Sequence, residues 1–122
     1  MEENKKELKK KYKETLPPMG IYQIKNLING KIYVSSGKNL NGKSNSWKFQ
    51  LNSGTHFNRE LQSDFNKFGE DNFIFEIIDH LDPKEDLNYD YTEDLKILEE
   101  MWIEKLKPFG DRGYNKIKTS LQ

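Results

Sequence analysis

Two tyrosines and one glutamate are the residues here whose types and spacing best suit chemistry. Tyr22 and Tyr33 stand in two runs, residues 20–25 and 31–34, that alternate apolar and polar side chains. The Asn29-Gly30 pair between them favours a tight turn, so the runs read as a hairpin whose phenols converge on one face. A free phenol titrates near pH 10 and needs a neighbouring cation before it can act as a base. Taken alone, both tyrosines also fit plain strand positions covering a sheet. Glu99 follows Leu95 by four residues and precedes Trp102 by three, at the border of a helical apolar stripe. A carboxylate there is costly unless a metal or a donor takes it. One carboxylate suits magnesium, which keeps waters and accepts further oxygens from a bound phosphate. The adjacent Glu100 points about 100° away, toward Lys96, and reads as a surface ion pair.

The elements that must position these groups follow from periodicity and punctuation. Residues 2–14 form a charged, helix-prone leader, stopped by Pro17-Pro18. After the hairpin, residues 39–52 read as a weak helix, with Trp47, Phe49 and Leu51 as its apolar weight. A firmer helix covers 58–68, with Leu61, Phe65 and Phe68 on one face and Gly69 at its C-terminal cap. Residues 72–80 read as a third strand. The strongest helix spans 92–106, with Thr92 as N-cap and Leu95, Leu98, Trp102 and Leu106 as its stripe. Residues 113–117 return as a short strand or as a loop. The expected fold class is α/β (α+β): a small three-stranded, mostly antiparallel sheet flanked by helices. With 122 residues, 34% hydrophobic and 33% charged, the chain holds one domain with a small core. No apolar run reaches the length of a membrane span, and the lack of cysteine fits a cytoplasmic setting. Net charge is zero but polarised: residues 1–67 carry 13 Lys and Arg against 6 Asp and Glu, residues 68–122 carry 7 against 14. A basic half can meet a phosphate backbone, and an acidic half can supply a metal-binding carboxylate.

Four segments then point to a known family. Gly20-Ile21-Tyr22 is followed, after ten residues, by Tyr33-Val34-Ser35. Downstream come the Phe65–Phe73 segment FNKFGEDNF, then Glu99-Glu100-Met101-Trp102-Ile103, then Gly113-Tyr114-Asn115. In this order they resemble the signature of the GIY-YIG nucleases across residues 20–115. The resemblance implies a domain over residues 19–118, preceded by a basic helical leader (1–18) and followed by a tail (119–122). It also implies an endonuclease that hydrolyses phosphodiester bonds in DNA with the help of Mg2+ or another divalent metal. In that reading Tyr22 acts on the attacking water with Tyr33 close by, Glu99 holds the metal, and Asn115 supports the site. Lys43 occupies the place of the family's phosphate-stabilising arginine. Lys31, Lys38, Lys48 and His56 are the expected nucleic-acid contacts.

The sequence departs from the family pattern at three places. Ser35 replaces the glycine of the second motif, Lys43 the arginine, and Trp47 a frequent histidine. Lysine keeps the charge but not the planar fork that grips phosphate through two parallel bonds. Two readings follow: a slowed enzyme, or a non-catalytic module that binds nucleic acid or a protein partner through the same groove.

Overall fold

The computed structural model describes residues 15–117. The helix expected over residues 2–14 and the tail 119–122 lie outside the described residues. The elements in order are β1 (Met19–Asn26), β2 (Ile32–Gly37), α1 (Leu40–Asn52), α2 (Arg59–Phe68), β3 (Phe73–Leu81) and α3 (Thr92–Leu106). Short 3-10 turns follow α2 and α3. The sheet is antiparallel with order β2-β1-β3, which makes β1 the central strand.

The hairpin closes through the loop 27–30, with Asn26 bonded to Lys31 across its base, rather than through a two-residue turn at Asn29-Gly30. Gly30 has φ 79 and donates its N–H to the Asn26 carbonyl at 2.8 Å. The side chains of Asn26 and Asn29 accept from Ile28 and Lys31 two residues on, the local bonding that makes asparagine a turn residue. The resulting register sets Tyr22 opposite Ser35 and Ile24 opposite Tyr33. Because directly paired residues share a face, Tyr22, Ile24, Tyr33 and Ser35 all project to the same side. The first motif begins with glycine for a steric reason: a Cβ on Gly20 would stand 2.0 Å from the Asp79 carbonyl oxygen of β3.

The helices match their expected spans closely, with differences in detail. In α1, Leu40, Trp47 and Leu51 are buried, but Phe49 is exposed; it falls on the outer side of the helix. Asn39 caps α1 through Gly42, and Asn58 caps α2 through Leu61. Gly69 does end α2. Thr92 is not the N-cap of α3. Tyr91 holds that position, and Asp90 Oδ1 takes both the N–H and the hydroxyl of Thr92, so the acid one residue earlier satisfies the helix start. Of the α3 stripe only Leu95 is fully buried, while Leu98, Trp102 and Leu106 are half-buried. Trp102 Nε1 donates to Asp79 Oδ2 at 2.9 Å, which ties α3 to β3. The expected Glu100–Lys96 ion pair is not formed; both side chains are exposed, where such pairing contributes little.

Tyr22, Ile24 and Tyr33 pack with Leu40, Trp47, Leu51, Leu61, Phe65, Phe73 and Tyr114 into the main core. Ile21 and Val34, of the other parity, are buried too, so both faces of the hairpin are covered. α3 packs against β1 and β2. The segment after α3 forms a single parallel bridge, Gly113 to Ile32, rather than a strand. Asn115 extends it with a side chain: Nδ2 donates to the Val34 carbonyl at 2.8 Å, and Oδ1 accepts from the Val34 N–H at 2.9 Å. A primary amide offers the same donor and acceptor as a peptide, so it caps the β2 edge as another strand would.

Candidate active site

The shared face of the hairpin brings Tyr22 and Tyr33 together, with Ser35 across from one and two residues from the other. Both rings are buried, at 6% and 4% exposure. Burial pushes the Tyr22 phenol above its ordinary pKa of 10, the Ser35 hydroxyl opposes the rise by hydrogen bonding, and the Glu99 carboxylate adds to it. Burial also raises Tyr33, and the neighbouring Tyr22 and Glu99 add to the effect while Ser35 again opposes it. The two phenols, Ser35 and Glu99 are thus one electrostatic group, drawn from two strands and a helix. As the protein stands, both phenols are protonated at neutral pH and present O–H donors.

Glu99 is half-buried and makes no hydrogen bond or ion pair among the described residues. No group of three or more His, Asp or Glu side chains able to cage a metal occurs among the described residues. One uncommitted carboxylate beside two phenols fits a hard divalent cation that takes its remaining ligands from water and phosphate. It does not fit a closed site built only from protein ligands.

An open cleft of about 540 Å³ lies at the end of β2, lined by Ser36, Lys38, Asn39, Lys43, Thr92 and Leu95 among others; neither phenol nor Glu99 lines it. Leu95 is one helical turn before Glu99, so the cleft and the acid share a face of α3. Lys43 is exposed, and its stem lies over Gly37, where a Cβ would come within 3.1 Å of Lys43 Cγ. Lys38 reaches Thr92 Oγ1 at 2.8 Å and stands 3.8 Å from Asp90, at the mouth of α3.

His56 is buried at 4% exposure and meets Tyr33 edge to face at 5.1 Å. Burial lowers its pKa from 6.5, and the Lys43 charge adds to the effect. The Asn58 N–H donates to Nδ1 at 3.0 Å, so the neutral ring carries its proton on Nε2. Every buried side-chain N and O among the described residues has a partner, so that Nε2, which has none, is not enclosed and is free to donate outward.

The remaining expected residues fall elsewhere. Lys31 sits at the turn end of the hairpin, paired with Glu60 and lying over the Tyr114 ring at 5.2 Å. Lys48 is exposed and rests on Trp47 at 5.5 Å, outside the cleft lining. Trp47 is core, in ring contact with Phe75. Asn115 acts on the β2 backbone rather than facing the cleft. Sequence reasoning singled out Ser35 as a departure but not as the group between the phenols. A two-residue Asn29-Gly30 turn would have set Tyr22 opposite Gly37; the observed register, two residues away, sets it opposite Ser35.

The GIY-YIG catalytic domain profile matches residues 18–115. Intron-associated endonuclease 1 of Enterobacteria phage T4 is 36% identical over 99 residues, which cover 79% of this chain but 36% of that protein. The chain therefore spans about a third of the length of that relative. Among solved structures, the catalytic domain of homing endonuclease I-TevI is similar at 31% identity and a TM-score of 0.67, covering 82% of this chain and 99% of that one. A mutant of the I-TevI catalytic domain gives 30% identity and a TM-score of 0.65, covering 86% and 99%. Fold, motif order and sequence agree: this chain belongs to the GIY-YIG catalytic domain family.

Proposed function

We propose that the chain is an endonuclease that hydrolyses phosphodiester bonds in DNA with a divalent metal, Mg2+ being the best fit. The observation that carries this reading is that Tyr22 and Tyr33 share one face of the hairpin within range of the Glu99 charge, while Lys43 lines the cleft at the end of β2. The relatives are named endonucleases, which supports a nucleic-acid substrate; DNA is our proposal.

Each protein group has a definable task. Lys43 neutralises the scissile phosphate, and the Nε2–H of His56 donates to one of its oxygens. The phenols of Tyr22 and Tyr33 hold the attacking water, and Tyr22 takes its proton. Burial alone works against that last role, since even an ordinary phenol is ionised in only about one molecule in a thousand at pH 7. A divalent cation on Glu99 would cancel the carboxylate's upward push on both phenols and neutralise charge on the phosphate. Asn115 fixes the β2 backbone that carries Tyr33 and Ser35. Lysine in place of the family arginine removes one bidentate phosphate grip, and we expect a slow enzyme.

Nicking of supercoiled plasmid, followed with and without Mg2+, tests the proposal. Cleavage that needs the metal and falls on the order of 100-fold or more in both Tyr22→Phe and Glu99→Ala supports it. DNA binding with no cleavage by the wild type would replace the enzyme with a binding module.

A further inference from the structure

Phe57 is 78% exposed, yet it stands between two buried residues, His56 at 4% and Asn58 at 7%. Its backbone is held firmly. The His56 N–H donates to Gln62 Oε1, and Asn58 is fixed through His56 Nδ1, Leu61 N–H and the Tyr114 carbonyl. The exposed ring is fixed in turn by stacking on His56, with centroids 5.0 Å apart and planes 16° from parallel. It also meets Tyr33 at 6.0 Å. Tyr33, His56 and Phe57 therefore form a triangle of mutually touching rings, of which Phe57 alone is largely exposed.

We propose that the open face of Phe57 stacks an unpaired nucleobase of the substrate, next to the phosphate held by Lys43 and His56; this rests on the nuclease reading above. A single pinned ring offers one flat apolar face, the size of one base and far below the area a protein partner needs. Asn52, Ser53 and Thr55, just before it in the chain, are polar and exposed. The Lys43 charge acts on the His56 ring on which Phe57 stacks, so a cation is within electrostatic range of the stacked pair. Aromatic platforms of this kind tolerate any base, because every base has a π face. The site would favour single-stranded or locally unpaired DNA over intact duplex.

The test uses the full chain in EDTA, so that binding is read without cleavage, and a short single-stranded oligonucleotide carrying 2-aminopurine. Fluorescence quenching on binding is expected for wild type and Phe57→Trp. Phe57→Ala and Phe57→Leu, with unchanged circular dichroism, are expected to bind about tenfold more weakly and to lose the quench. An abasic oligonucleotide should not distinguish Phe57→Leu from wild type. Equal quenching by wild type and Phe57→Leu would overturn the inference, as would failure of the wild type to bind. A change in sedimentation with no change in quenching would assign the ring to a protein contact and overturn it too. Quenching without plasmid nicking would leave the stacking site standing and remove only the enzyme.

Discussion

Ser35 faces both phenols because the hairpin register puts it across from Tyr22 and two residues from Tyr33 on the same strand. Its hydroxyl is the group on this face that opposes the upward push of burial on both. Ser35→Ala should therefore raise the titration midpoints of Tyr22 and Tyr33 and leave that of Tyr114 alone. NMR of 13Cζ-labelled tyrosine reads each phenol separately, and unmoved midpoints for both would show that the serine only fills space. In an active enzyme the acid limb of the pH–rate profile should move up with them. His56 gives a stability signature of opposite origin. Its folded pKa lies below 6.5, so the unfolded chain binds the extra proton first as pH drops. Its contribution is present above pH 6.5 and is lost as pH falls from there through the lowered folded value. His56→Gln should flatten that part of the melting temperature against pH profile. An unchanged profile would mean that the ring is not held neutral.

At the scale of elements, the tail after α3 completes the sheet edge that carries the site. Asn115→Ala strips partners from the Val34 N–H and carbonyl together, at a cost of about 2 kcal/mol. The melting temperature should fall by roughly 10 °C. Asn115→Asp keeps an acceptor for the N–H but sets a carboxylate oxygen against the Val34 carbonyl, so it should recover only part of the loss. Thermal melts of the two variants decide the point, and full stability in Asn115→Ala would show that the bridge at Gly113 suffices. This element also marks where the letters stop informing. The hairpin, both interior helices and α3 were legible because apolar periodicity and the Asn-Gly and Gly69 punctuation are local signals. Tyr22, Tyr33 and Glu99 were legible as a set because motif order survives in one dimension. The task of Asn115 was not, because it depends on where a loop settles against a strand 81 residues away. Thr92 misled for a local reason: Asp90, two residues before it, takes both its N–H and its hydroxyl, so the threonine sits inside the first turn rather than capping it. Phe49 misled because a weak helix can turn an aromatic outward when Trp47 and Leu51 already fill its inner face.

Across the whole molecule, charge divides along the chain, and the site lies on the seam. Lys38 and Lys43 come from the basic half, Glu99 from the acidic half. Mixed sign at one site limits how many phosphates the domain can neutralise, since the acidic half repels the strand that the lysines attract. Binding to single-stranded DNA releases counterions in proportion to the phosphates contacted, with a slope of about −0.7 in log affinity against log salt for each. Lys38 already stands beside Asp90 and Thr92, so Lys43 is the cleft lysine expected to contribute to the slope, by about 0.7. Lys43→Ala should bring it closer to zero by about 0.7. Lys31→Ala should leave it unchanged, because that ammonium is already engaged by Glu60 and the Tyr114 ring at the far end of the hairpin. Fluorescence anisotropy across a salt series in EDTA measures all three. If Lys31→Ala lowers the slope as much as Lys43→Ala does, the strand runs along the hairpin turn, and the cleft is not where the phosphates lie.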